Sequence, residues 1–361
     1  MTTALVMSGG GSKGAFTIGA LEYILGVRQP HFDIVVGTST GALIAPFIVA
    51  DQAPGSTPFS YFDVAKHAYL TNTSEEVVTA RSLTAVARGA VSVFDTAPLE
   101  RQIAALVDDE AWTRIERAAP VTRMFVVTVC LQTGEVVFFQ TGPDGRAPEG
   151  TRVEPIATHA ALKQAILASA NLPILMPPVK LRDRQGRRLQ YVDGGVREYA
   201  SLRVAVANGA DEIYAIYLSP PPEHRAPRTQ EFENALPTQK TTHSRGRKLS
   251  IVERTLDIFL LDVFENDIAA VRRVNDAVRY VEALRRRIAR DAPEMDLEAA
   301  FAEPQPGVEN PWSGKRTVTV HEIFPPEVLE VGTLDVEPSQ MFRMYDMGYE
   351  AAERYFARPH T

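Results

Sequence analysis

Apolar and polar positions fall into blocks whose periods change along the chain. Ala4-Leu5-Val6-Met7 and Phe32-Asp33-Ile34-Val35-Val36 are short, mostly apolar runs, each followed by glycine and serine, and they predict two buried strands. Ala15 to Leu25 separates them with the length and residue types of a helix. Further on, Val121 to Cys130 and Glu135 to Gln140 are two strand-like runs joined by Leu131-Gln132-Thr133-Gly134, which predicts a β-hairpin within an otherwise parallel sheet. Arg188 to Val192 predicts another strand. From Arg254 to Arg290, apolar Ile258, Leu261, Phe264, Ile268, Val271, Val274 and Val278 recur at helical spacing and predict one long helix. A strand over Arg316 to Phe324 and a helix over Gln340 to Phe356 follow. Strand and helix alternate as far as about residue 220, the signature of an α/β fold built on a mostly parallel sheet.

The remaining stretches are polar. Ser219 to Lys248, opening with Ser219-Pro220-Pro221-Pro222-Glu223, and Asp291 to Gly314 have the composition of mobile loops. Pro54 to Asp95 is polar and largely helical in pattern, which suits a lid over a site or an ordinary helical layer. We therefore expect a core over residues 1–220 and, over 221–361, helices and a strand that complete the same domain, with loops near 219–248 and 291–314. There is no internal repeat.

Three glycine-containing segments carry the chemistry. Gly37-Thr38-Ser39-Thr40-Gly41 directly follows the second strand and reads as a strand turning sharply into a helix, with Ser39 at the apex. Such a turn pushes a serine hydroxyl out of the sheet, and only small flanking residues allow it. Ser8-Gly9-Gly10-Gly11-Ser12-Lys13-Gly14 lies between the first strand and the first helix. Its N–H groups can converge on an anion, phosphate or oxyanion, with the helix N-terminus behind them. Lys13 suits a substrate phosphate and equally suits solvent. Asp193-Gly194-Gly195 closes the strand before it and can project a carboxylate at the end of the sheet where ligands gather.

In this order the three segments resemble the patatin-like phospholipases: a glycine-rich loop at Gly9-Gly10-Gly11-Ser12-Lys13-Gly14, an elbow at Gly37 to Gly41, and the Asp193-Gly194-Gly195 triplet far downstream. Ala168-Ser169-Ala170-Asn171-Leu172-Pro173-Ile174-Leu175-Met176-Pro177-Pro178-Val179 is similar to the family's block between elbow and aspartate, and Phe94 to Leu99 is a weaker echo. The resemblance spans roughly residues 4 to 220; Ser8 stands where many members have aspartate. It implies a three-layer α/β/α fold, Ser39 as nucleophile, Asp193 as base, and an oxyanion hole at Gly9, Gly10 and Gly11. Ser12, Lys13, Gly14, Gly37, Gly41, Gly194 and Gly195 would be supporting motif positions. Lipid acyl esters are the implied substrates, with no metal and no cofactor. A serine hydroxyl needs a base to take its proton, and a carboxylate serves only if burial raises its proton affinity above the usual value of about 3.9.

Two rival readings rest on single residues. A Ser-acid-His triad would need a histidine downstream of Asp193. Of the seven histidines only His321 lies downstream in a structured-looking segment, and alternation puts it with Thr317 and Thr319 on a solvated strand face. A nucleotide-binding module would use the G-x-G-x-x-G spacing of the first loop with Asp33, but Asp33 begins its strand instead of ending it. A non-hydrolytic interaction protein on the same fold is the third reading.

Composition narrows the setting. The formal charge of −7 argues against general affinity for nucleic acid. Arg272, Arg273, Arg279, Arg285, Arg286, Arg287 and Arg290 crowd the end of the long helix, which suits peripheral contact with an anionic membrane; Glu265, Asp267, Asp276 and Glu282 offer the same arginines partners within the helix. The single cysteine, Cys130, sits in an apolar run as a core thiol. No apolar stretch approaches the roughly 20 residues of a membrane span, and residues 4–7 belong to a strand instead of a signal core. The expectation is a cytoplasmic protein, peripheral at membranes, with secretion lacking a cleaved signal left open and assembly state unassigned.

Overall fold

A computed structural model describes residues 1–71, 79–80, 92, 94–221, 247–296, 316–329 and 337–358. Its centre is a nine-stranded sheet. Strands β1 (Thr3–Met7), β2 (Ile34–Thr38), β5 (Arg123–Cys130), β10 (Glu212–Ile216) and β11 (Thr319–Ile323) run parallel, in the spatial order β11-β10-β1-β2-β5. β6 (Val136–Gln140) returns antiparallel to β5 as the expected hairpin, and β7 (Thr151–Pro155) pairs with β6. β8 (Val179–Arg182) and β9 (Arg188–Asp193) form a second hairpin that reaches β5 through β9. A separate two-stranded ladder joins β3 (Thr79–Ala80) to β4 (Phe94–Asp95).

Both faces of the sheet are covered, which is why its central strands read as continuous apolar runs. Leu5, Met7, Val35, Met124 and Val126 belong to one core, shared with α1 (Gly14–Tyr23), α2 (Thr40–Asp51), α3 (Ser60–Thr71), α4 (Ala97–Leu106), α5 (Asp109–Ala118) and α6 (His159–Ala170). Ala4, Val6, Ile34, Val36, Phe125 and Val127 alternate with them and belong to the other core, with α7 (Leu202–Ala207) and α8 (Arg247–Asp291). The arrangement is a three-layer α/β/α sandwich. α2 is buried nearly all round, so its sequence carries no amphipathic period.

The C-terminal elements are packed into these layers. α9 (Pro338–Ala357) lies on α1, with Tyr23 edge-on to Tyr349 and stacked on Phe356. α9 also corrects the expectation for His321. That residue is only 9% exposed, because Tyr355 and Phe356 pack over its ring and its Nε2 lies 2.8 Å from Glu212 Oε1. On the polar face of β11 Thr319 is exposed, as the alternation suggested, but His321 is covered. Of the Pro54 to Asp95 stretch, Ser60–Thr71 is a helix whose Phe62, Ala65 and Leu70 enter the core, a layer on α2; most of the remainder lies outside the described residues. The expected loops at 219–248 and 291–314 also lie almost entirely outside them.

α8 is docked by Phe264, which is fully buried against the rings of Tyr199, Tyr217 and Phe324. Phe264→Ala should lower the stability of the folded chain by about 3–5 kcal/mol, the usual cost of emptying a buried aromatic site, as measured by denaturant unfolding.

Candidate active site

The site begins with a register. β2 and β6 both pair with residues 125–127 of β5 and so flank it on opposite sides; β6 and β9 both pair with residues 128 and 129, so β9 must lie on the β2 side. β2 runs up that edge of β5 and stops with Thr38 opposite Val127. β9 runs down the same edge and stops with Asp193 opposite Thr128, the next row. The two strands meet end to end, and the residues that leave them are Ser39 and Asp193.

Ser39 is the turn itself. Its backbone has φ 53° and ψ −116°, a conformation that L-residues avoid, at a cost of about 1–3 kcal/mol. The chain enters α2 at once, with Ala42 and Leu43 N–H groups donating to the Ser39 carbonyl. Gly37 and Gly41 make this possible: a Cβ on Gly41 would collide with the Met7 carbonyl of β1, and one on Gly37 with the Gly41 backbone. The Ser39 N–H donates to Ser169 Oγ at 2.9 Å. Its neighbour Thr40 shares a 2.5 Å hydrogen bond with the hydroxyl of Tyr69 on α3.

Asp193 is 1% exposed and Ser39 7%. The Asp193 carboxylate accepts the Gly195 N–H at 2.7 Å, and the Ser39 hydroxyl lies near enough to it to act as a second donor. Burial pushes its pKa up from 3.8 to about 6, and the two hydrogen bonds pull in the opposite direction without cancelling it. Gly194 opens the short turn that follows, where any side chain would strike the Val127 carbonyl.

The glycine loop lies across from this pair. Gly10 and Gly11 have φ of 154° and 60°, values open to glycine, and the chain then makes a 3-10 turn over Gly11–Lys13 into Gly14 and α1. Gly9 departs from the expected role, because its N–H donates to the Tyr199 carbonyl at 3.1 Å and is therefore committed. Among the described residues the N–H groups of Gly10 and Gly11 make no hydrogen bond. Gly11, Ser12, Ser39 and Thr40 face a cavity of about 120 Å³ whose other walls are mostly apolar, among them Leu43, Phe47, Leu99, Ile103 and Ile166.

Two contributors left no mark in the sequence. Asp267, on α8, accepts the N–H groups of Tyr199 and Ala200 at 2.9 and 3.1 Å and so fixes the strand of chain that anchors Gly9. Burial raises its pKa to about 7, against the pull of those two N–H groups and of Arg203. Tyr69 supports Thr40 from a segment whose pattern said only helix. The rival residues stand apart: Asp33 accepts the Thr3 N–H at the opposite end of the strands, where β1 and β2 begin, and His321 is on β11, separated from β2 by β10 and β1. No group of three or more His, Cys, Asp or Glu able to hold a metal ion occurs among the described residues.

A family model for patatin-like phospholipases matches residues 5–206, more than half of the chain. This chain belongs to that family. A "cGAMP-activated phospholipase" from Escherichia coli (strain TW11681) is 28% identical over 204 residues, covering 53% of this chain and 51% of that one. The chain thus spans about half the length of this curated relative. Among solved structures, that of VipD from Legionella pneumophila aligns with 99% of this chain and 66% of its own at 12% identity, with a TM-score of 0.37. In patatin terms, the glycine loop, the elbow and the Asp193 turn all lie inside the matched region, whereas Asp267 lies beyond it.

Asp267→Ala would strand the Tyr199 and Ala200 donors in a buried place. It should cost about 1–3 kcal/mol of stability, readable as a lowered midpoint in thermal or urea unfolding.

Proposed function

We propose that this chain is a serine acyl hydrolase that cleaves fatty acyl esters of phospholipids, lysophospholipids or related lipids through a Ser39–Asp193 dyad. One observation supports it above the rest: a serine hydroxyl near a buried carboxylate, facing a largely apolar cavity that Gly11 of the glycine loop also lines. In this mechanism Ser39 Oγ attacks the ester carbonyl carbon while its proton passes to the Asp193 carboxylate. The tetrahedral oxyanion forms against the Gly10 and Gly11 N–H groups. Removing a donor of this kind costs about 2.7–4 kcal/mol of barrier in comparable sites. Collapse expels the alcohol, which takes the proton back from Asp193, and leaves the acyl group on Ser39. Water, deprotonated by Asp193, then attacks the acyl-enzyme; collapse breaks the bond to Ser39 Oγ, which takes that proton back from Asp193, and the fatty acid is released. The apolar cavity takes the acyl chain, and its exclusion of water keeps the carboxylate basic.

Peripheral contact with an anionic membrane belongs to the same proposal. Arg286 and Arg290 are exposed on α8, while Arg272 pairs with Glu322, Arg279 with Asp276 and Arg287 with Asp291. Cosedimentation with phosphatidylglycerol vesicles, compared with phosphatidylcholine, measures that attraction. The name of the E. coli relative attaches cGAMP activation to that protein, so each assay of this chain is run with and without cGAMP.

A fluorophosphonate probe should label Ser39, and Ser39→Ala should abolish labelling and lower turnover by about 10³-fold or more. A lipid panel read by mass spectrometry, with Ser39→Ala as blank, identifies the ester; labelling at another residue would sink the assignment.

The Asp193 pKa of about 6 sets a second test. As base, Asp193 works only when ionised, so kcat/KM should fall as pH drops through about 6. Stability runs the other way: the folded pKa lies above the unfolded value, so stability is lost as pH rises from 3.8 through about 6. Asp193→Asn should be inactive yet more stable than the parent by about 3 kcal/mol at pH 8, the gain vanishing near pH 4; thermal melts across pH check it.

A further inference from the structure

The block from Ala168 to Asn171 has no place in the chemistry above, yet it touches the backbone of both dyad residues. Ser169, at the last turn of α6, is fully buried. Its hydroxyl accepts the Ser39 N–H at 2.9 Å and donates to the Val127 carbonyl at 2.6 Å. Two residues on, the Asn171 carbonyl accepts the Asp193 N–H at 3.0 Å, and the Asn171 side chain is itself tied to the Pro177 carbonyl at 2.8 Å.

The location explains why a hydroxyl is needed. β2 stops at Thr38 opposite Val127 and β9 stops at Asp193 opposite Thr128, so on this edge neither strand continues past the junction to extend its ladder. The strained Ser39 N–H needs an acceptor and the Val127 carbonyl needs a donor, in a dry place where leaving either unpaired is costly. A single hydroxyl does both. A serine near a helix end commonly bonds back to its own helix, four residues earlier; Ser169 instead donates across to the sheet.

We propose that Ser169 is a positioning residue that fixes the Ser39 turn to β5, and that Ser169 and Asn171 together set the separation of nucleophile and base. The proposal rests on the Ser39–Asp193 reading and adds the part that holds the pair in reach. Without the Ser169 hydroxyl the Ser39 backbone is free to relax from its unfavourable conformation. A displacement near 1 Å at a reacting atom can cost about 10²-fold in rate.

The test compares the parent chain with Ser169→Ala, Ser169→Thr and Ser39→Ala. Measured are fluorophosphonate labelling rate, kcat and KM on a short-chain p-nitrophenyl ester, thermal melts, and amide hydrogen exchange of the peptide containing Ser39. Ser169→Ala should lose about 10- to 100-fold in kcat and labelling rate, with KM within about twofold. Exchange at Ser39 should quicken about tenfold or more while β1 stays protected. Ser169→Thr, which keeps the hydroxyl, should recover most of the loss. Unchanged kcat and exchange in Ser169→Ala, a loss that merely follows the folded fraction, or equal losses in the Ala and Thr variants would overturn the proposal. If the parent is not labelled at Ser39, the hydrolase reading fails by itself, and the exchange comparison still decides whether Ser169 holds the turn.

Discussion

One edge of β5 is shared by two strands that approach from opposite directions and stop one row apart, and the site exists because of that division. Hydrogen-bonding rows in a sheet are fixed by the backbone, so the meeting of β2 and β9 at Val127 and Thr128 sets where Ser39 and Asp193 leave the sheet. Neither residue reaches the other along its own element. β2 continues into α2 through a strained turn, and β9 continues into a glycine turn, so each side chain is delivered at a strand end where the backbone is already rigid. The same division leaves backbone groups at the junction to be paired from elsewhere, and the Ser169 hydroxyl of α6 and the Asn171 carbonyl that follows it take them up.

Burial then acts on the carboxylate in two ways. It raises the proton affinity of Asp193, which a lone carboxylate needs if it is to take a proton from a serine, and it makes the ionised form unfavourable to fold around. The protein accepts the second effect and limits it with the Gly195 N–H and the Ser39 hydroxyl, both of which favour the ionised form. More donors would stabilise the fold and lower the proton affinity of the carboxylate. Stability and basicity at this position are one quantity with opposite signs, so the number of hydrogen bonds on Asp193 is a compromise between them.

Much of this was legible in the residues. The strands, the β5–β6 hairpin and the long helix follow from apolar period, and the elbow and glycine loop follow from steric demands that only small residues meet. Other parts were hidden for physical reasons. Whether β9 joins the sheet beside β6 or beside β2 depends on pairing between residues some 60 positions apart, which no local pattern records. Asp267 looked like one more charge on a charged helix, since nothing in its neighbourhood shows that two N–H groups from residues 199 and 200 point at it. His321 showed a polar alternation that ordinarily means solvent, but the cover over it comes from α9, far along the chain. Gly9 belongs by sequence with Gly10 and Gly11; only the Tyr199 carbonyl, delivered by the loop after β9, separates its role from theirs.

That last contact ties the two halves of the site together. The loop that follows Asp193 carries Gly195, which bonds the carboxylate, and Tyr199, which bonds Gly9 at the start of the glycine loop. Asp267 fixes the same loop from α8, and Phe264, one turn earlier on that helix, packs on the Tyr199 ring. A displacement of α8 would therefore reach Gly9 and Asp193 through one short segment, whereas Ser39 is held from the other side of the sheet by α6. The loop after β9 thus links Asp193 to the glycine loop, the end of α6 and its following residue hold the backbones of both Ser39 and Asp193, and β5, bonded to Ser169 and paired with β9, keeps them in register.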